Sequence, residues 1–158
     1  MILYHGSNVE VNEIDLNHSE VGKDFGVGFY LTASKEQAER MASRRVRLYG
    51  GVPIVSVFEF DETAAIADGL LLKDFQFYSK DWADFILANR ANGTRIQIHN
   101  YDIVHGPIAN DDVGFQIRRL LAGIISIDTF LEELKYKQGI TYQYFFSTER
   151  SINYLKKI

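Results

Sequence analysis

The residues of this chain that could do chemistry lie in three short stretches, far apart in sequence. Tyr4-His5-Gly6-Ser7 sets a titratable ring, a residue without a side chain and a hydroxyl side by side. A histidine there offers a directional donor or acceptor near neutral pH, and the glycine lets another group approach the backbone closely. In the second stretch, Phe25 to Thr32, Gly26 and Gly28 place a flexible loop immediately before Phe29 and Tyr30. The third, Tyr142-Gln143-Tyr144-Phe145-Phe146, carries one amide among four aromatic rings. Taken singly, a strand end with a turn is the better account of the first, and a turn plus a core tyrosine of the second.

Several other chemistries are excluded or weakened. The chain has no cysteine, which removes disulfides, thiolate nucleophiles and every cysteine-based metal site. His99 and His105 lack metal-ligand spacing and His18 is remote in sequence, so no metal site can be argued. The Gly26/Gly28 pair is not a phosphate loop, because no Gly-Lys-Ser/Thr follows and no strand precedes it as a dinucleotide fingerprint requires. Asp102 and His105 stand at the end of a strand running into Gly106-Pro107, where sites gather, although a structural histidine explains them as well. Arg44, Arg45 and Arg47 form a basic patch and Arg118-Arg119 another, able to attract a diphosphate or an RNA backbone. A formal net charge of −4 argues against a broad nucleic-acid surface and leaves a solvated helix face as the simpler account.

The elements that must hold these residues can be read from periodicity and caps. Residues 1–5 suit a short strand, and Ser7 to Lys23 reads as loop, interrupted by Ile14. Phe29 to Thr32 is β-prone, and Ser34 with Gln37 three residues on marks a helix start. That helix presents Ala38, Met41, Ala42, Val46 and Tyr49 on one apolar face and is stopped by Gly50-Gly51 and Pro53. Ile54 to Phe60 is a strand by its β-branched and aromatic content, and a weaker extended piece lies around Leu70 to Phe75. Residues 80–91 look helical behind a Ser79 cap, Tyr101 to Val104 extended, and 112–122 and 128–137 helical, with turns at Gly123 and Gly139. Tyr142 to Phe146 is a late strand, after which Ser147 or Thr148 caps a short helix. The order lacks a regular βαβ repeat, so the expected fold class is α+β with mainly antiparallel pairing.

The whole fits one domain over residues 1–158, with 46% hydrophobic residues to supply a core. No internal repeat or low-complexity tract breaks it. The N-terminal residues are not those of a signal peptide and no apolar run could span a bilayer, so a cytoplasmic protein without a membrane partner is expected, though one injected by a secretion machine would look alike.

In this order and spacing, the His5-Gly6-Ser7, Gly28-Phe29-Tyr30 and Tyr142-to-Phe146 segments resemble the three signatures of the ADP-ribosyltransferases of the poly-ADP-ribose polymerase and diphtheria-toxin type. Nearly the whole chain also resembles an uncharacterised bacterial family, domain of unknown function 3990, through Trp82, Phe85, Asn89-Arg90 and Asp102 to Pro107. The resemblance implies a split, mainly antiparallel sheet flanked by helices, with NAD as substrate in the cleft between its halves. It makes His5, Tyr30 and Gln143 the catalytic set and Gly6, Ser7, Gly28, Phe29 and Met41 the residues that hold NAD. His5 would bond the adenosine ribose 2′-hydroxyl, Gly6 and Ser7 the nicotinamide carboxamide, and the Tyr30 ring would pack on nicotinamide or its ribose. Met41 falls where the resembling enzymes often carry a second aromatic, but plain core packing competes for it.

Gln143 departs from the pattern, standing where the catalytic strand carries glutamate. The carboxylate there stabilises positive charge as the glycosidic bond breaks; glutamine keeps the hydrogen bond and loses the charge, which slows such a step by roughly 2–4 kcal/mol. Chain elongation is not expected, and Glu149 or Asp111-Asp112 could compensate, although solvated surface charge is the simpler account of both. The activity implied is transfer of one ADP-ribose to an unknown macromolecular acceptor, protein or nucleic acid, by a bacterial toxin or effector with a small antitoxin as partner. NAD hydrolysis, NAD sensing without turnover, action on RNA through the basic patches, or a purely structural domain are the competing readings.

Overall fold

The computed structural model describes residues 1–158. Seven strands fall into two sheets. The first, in the order β1-β3-β7, is made of β1 (Ile2–Ser7), β3 (Ile54–Phe60) and β7 (Leu155–Lys157), all antiparallel. The second, β2-β6-β5-β4, is made of β2 (Phe29–Leu31), β6 (Tyr142–Phe146), β5 (Ile103–Pro107) and β4 (Leu72–Asp74), antiparallel except for the parallel β4–β5 pair. The α+β class with mostly antiparallel pairing is therefore observed.

Six helices complete the chain: α1 (Lys35–Tyr49), α2 (Glu62–Ala67), α3 (Lys80–Ala91), α4 (Asp111–Leu121), α5 (Ile127–Leu134) and α6 (Glu149–Ile152). Their starts obey side-chain capping. Ser34 Oγ accepts from Gln37 N, Ser79 Oγ from Trp82 N, and Thr148, rather than Ser147, caps α6 in a reciprocal box with Ser151. No helix is long and apolar enough to cross a membrane.

Two apolar layers explain the arrangement. Leu3, Phe58 and Phe60 of the first sheet meet Phe29, Ile103 and Phe146 of the second, with Phe60 and Phe146 edge to face at 5.0 Å. Alternation along β6 sends Phe145 to the other side, where it joins Phe25, Val104, Trp82, Ile86, Ile117 and Phe130 beneath α3, α4 and α5. Burial on both faces is why the second sheet's central strands read as nearly continuous apolar runs.

The sheets are linked by one isolated antiparallel bridge, Tyr4 to Thr32, with N···O distances of 2.8 and 2.9 Å. Beyond it the strands part, and α1 packs across β1 to close the other side. Gly6 makes that packing feasible: a Cβ built there would stand 1.9 Å from the Ala38 carbonyl oxygen and 2.9 Å from Ala42 N.

Several expectations are revised. β1 continues to Ser7, β5 runs through His105 to Pro107, and α5 ends at Leu134 instead of residue 137. The stretch from Ser7 to Lys23 holds a single 3-10 turn at Leu16–His18. On α1 only Ala38 and Ala42 are buried; Met41 and Tyr49 lie 40% and 58% exposed, so the apolar face is narrower than the spacing suggested.

Candidate functional site

Past the Tyr4–Thr32 bridge the parting strands, α1 and the loop before β2 enclose a cleft of about 540 Å³. His5, Gly6 and Ser7 arrive from β1, and Gly28, Phe29 and Tyr30 from β2 and its approach. Met41 comes from α1 and Gln143 from β6, so all eight residues expected at a site share this one cavity. A second hollow, around Met1, Phe60 and Tyr154, contains none of them.

His5 follows Leu3 in alternation, so its ring points between the sheets and stacks on Phe29 at 4.6 Å. Its Nδ1 lies 2.7 Å from the Tyr30 carbonyl, which can only accept, so Nδ1 carries the proton and donates. In the neutral ring Nε2 is then an acceptor. Burial lowers the pKa of His5 below 6.5, with Arg45 adding to the effect and the Tyr30 carbonyl opposing it, which keeps this tautomer at neutral pH.

The linkage has a definite sign. Above about pH 6.5 His5 is neutral both folded and unfolded and contributes nothing to the pH dependence. Below it the unfolded chain gains a proton that the folded chain resists until its lowered pKa is reached, so stability falls as pH falls through that window. His99, lowered by burial with the Phe25 carbonyl opposing, acts in the same direction. Urea unfolding between about pH 5 and 7 is expected to show this slope, and His5→Asn to flatten it; an unaltered slope in the variant would rule out a neutral, buried His5.

Gly6 presents backbone instead of side chain. The parity that directs Tyr4 N–H and C=O to Thr32 turns those of Gly6 to the same edge, beyond the bridge and into the cleft. Ser7, 7% exposed, accepts weakly from Val9 N at 3.5 Å. Gly28 allows the backbone to pass Phe145 and the Phe146 carbonyl, each of which a Cβ would meet at 2.4 Å. The Tyr30 hydroxyl is taken within its own loop: it donates to Gly26 O at 2.8 Å and accepts from Phe25 N at 3.1 Å. What Tyr30 offers the cleft is its ring, seated 4.8 Å from that of Phe145. Burial and the charge of Asp24 raise its pKa well above 10, so the hydroxyl stays protonated.

Over residues 1–157 the chain matches a family described as Protein of unknown function (DUF3990). It belongs to that family. No curated protein matches it.

In this DUF3990 member, the cations Lys23, Arg45 and Arg90 and the carboxylates Glu10, Glu13, Asp15, Glu20 and Asp24 line the cleft beside the expected set. Asp24 stands just before the glycine loop, and its Oδ1 accepts from Arg90 Nε at 2.7 Å while Oδ2 lies 3.5 Å from Gln143 Nε2. Lys23 and Arg45 also line the cleft, both within 4 Å of Glu20. Arg90 was visible in sequence as part of a helical pattern and of the family resemblance but not as a site residue, and nothing local to Asp24 told of partners 66 and 119 residues away.

Other candidates lie elsewhere. Glu149, Asp111 and Asp112 are exposed and outside the cleft, Asp112 pairing with Lys137 at 2.7 Å. Asp102 accepts from Leu71 N and Thr148 Oγ1, which makes it a structural tie. His105 bonds Asp74 at 2.7 Å between the Tyr142 and Tyr144 rings, on the face of β6 opposite Gln143. Arg44 and Arg47 are exposed outside the cleft, so the basic patch of α1 is divided, with Arg45 alone turned inward.

Proposed function

We propose that this chain is an NAD-binding, mono-ADP-ribosyltransferase-like protein, in which the split between the two sheets serves as the NAD cleft. The observation that carries this reading is the convergence of His5, Gly6, Tyr30 and Gln143, drawn from segments up to 138 residues apart, on a single cavity of ligand size. The arrangement supports the expected roles. His5 Nε2 accepts from a ribose hydroxyl, the outward backbone groups of Gly6 match the donor and acceptor of a carboxamide, and the Tyr30 ring offers an apolar wall. Met41, open to the cleft, supplies a soft, polarisable contact beside it.

In the reaction, the bond from ribose C1′ to the nicotinamide nitrogen breaks with its electron pair leaving on nicotinamide. An acceptor lone pair then forms the new bond to C1′ and the acceptor gives up a proton. The cleft contributes chiefly by holding the reacting groups in place. Gln143 gives a hydrogen bond without a formal charge, which favours a slow transferase, and with water as acceptor the same steps make a glycohydrolase. Location in the cytoplasm, a macromolecular acceptor, a role as toxin or effector and a neutralising antitoxin belong to the same reading.

Calorimetric titration of NAD tests it. The wild-type chain is expected to bind, and a His5→Ala, Tyr30→Ala double variant to bind at least about 30-fold more weakly, two contacts of roughly 1 kcal/mol each being lost. Absence of NAD binding by folded wild-type protein overturns the proposal. Where binding holds, nicotinamide release with a labelled macromolecule marks a transferase, release alone a glycohydrolase, and no release a sensor.

A further inference from the structure

Gln143 is paired with a carboxylate that the chain supplies from elsewhere, and the pairing dictates which way its amide faces. A carboxylate only accepts hydrogen bonds, so Asp24 Oδ2 can be approached by the NH2 of Gln143 and not by its carbonyl. The contact is long, 3.5 Å, but its carboxylate end is fixed. Asp24 is 14% exposed at its side chain, and its other oxygen is held by Arg90 Nε at 2.7 Å from α3. The backbone carrying Asp24 is held as well, because the Tyr30 hydroxyl bridges Phe25 N and Gly26 O in the next two residues. Asp24, Arg90 and Gln143 all line the cleft.

We propose that Asp24 is the positioning residue for Gln143: it holds the amide NH2 so that Oε1 is the atom presented to a ligand hydroxyl in the cleft. The inference rests on the NAD reading above and names how that site orients the ribose. Asp24 and Gln143 divide between them the hydrogen-bonding part of a single glutamate's task, the amide giving the acceptor oxygen and the aspartate its direction. The pairing also gives a reason for glutamine at 143. A glutamate there would set two carboxylates against each other in the same pocket, where both cannot readily ionise. Position 143 is matched to position 24.

The test compares Asp24→Asn, Gln143→Glu and the exchanged pair Asp24→Asn/Gln143→Glu, reading NAD affinity, nicotinamide release and the side-chain amide resonance of Gln143. Asp24→Asn keeps an oxygen for Arg90 and is expected to fold, to change KM by less than about threefold and to lower kcat by about tenfold. Gln143→Glu alone is expected to lower kcat also, and the exchanged pair to recover it, which a merely structural role for Asp24 does not produce. Without any ligand, Asp24→Asn is expected to move the Gln143 amide resonance in ¹⁵N-labelled protein. A resonance that stays in place, or an exchanged pair no better than either single variant, overturns the assignment while NAD binding by the wild-type chain persists. Failure of the wild-type chain to bind NAD at all overturns the functional reading, and the positioning role with it.

Discussion

Gly6→Ala is expected to destabilise the fold by about 3 kcal/mol and to abolish ligand binding in the cleft, although it adds one methyl group. The new Cβ would sit 1.9 Å from the carbonyl oxygen of Ala38 and 2.9 Å from the amide nitrogen of Ala42. Both neighbours are backbone atoms of α1, so no rotamer change relieves the clash, and the helix must lift away from β1. That helix carries Gln37, Met41 and Arg45 into the cleft, so its displacement alters the site as well as the core. Urea unfolding followed by circular dichroism measures the first effect and titration of NAD the second. Wild-type stability in Gly6→Ala would show that α1 does not seat this closely on β1.

Arg90→Ala is expected to cost about 2–3 kcal/mol, less than a fully buried pair would, because the arginine side chain is 25% exposed. The loss arises from the partner that remains: the Asp24 carboxylate keeps its place in the loop without the cation that satisfies it. A double variant, Arg90→Ala with Asp24→Asn, is therefore expected to be less destabilised than the sum of the two single variants. Arg90→Lys retains charge but lacks the directed Nε donor, and an intermediate loss is expected. Strict additivity in this cycle, read from urea midpoints, would mean that the 2.7 Å contact carries no stability.

The parts of the site that could be read from sequence are those that local chemistry decides. Ser34 and Gln37 announce the start of α1, and the β-branched and aromatic run from Ile54 to Phe60 marks β3 at its observed bounds. α2 and β7 escaped notice because six residues after Asp61 and the three of Leu155–Lys157 are too short to show a period. Met41 shows the limit of the helical wheel. Spacing put it on the same face as Ala38 and Ala42, but whether a neighbour covers it depends on where the two sheets part, so it faces a cavity. The Tyr30 hydroxyl was likewise beyond reach, since its partners are backbone groups brought close only by Gly26 at φ +106°. Asp24 was invisible as a site residue for a stronger reason. Its meaning lies wholly in Arg90 and Gln143, and only the folded chain brings those three together.

Thr32 does more than close the single bridge between the sheets. Its backbone exchanges two hydrogen bonds with Tyr4, while its hydroxyl donates to the Tyr142 carbonyl at 2.9 Å and accepts from Ser34 N at the start of α1. One buried residue thus ties β1, the strand that bears Gln143 and the helix that bears Met41, at the root of the cleft. The spacing of the three walls is tied to the hydrogen bonds of this one residue. A cleft whose walls are tied in this way has little conformational freedom to surrender on association, so modest contacts suffice and the ordering of the ligand itself becomes the principal entropic obstacle.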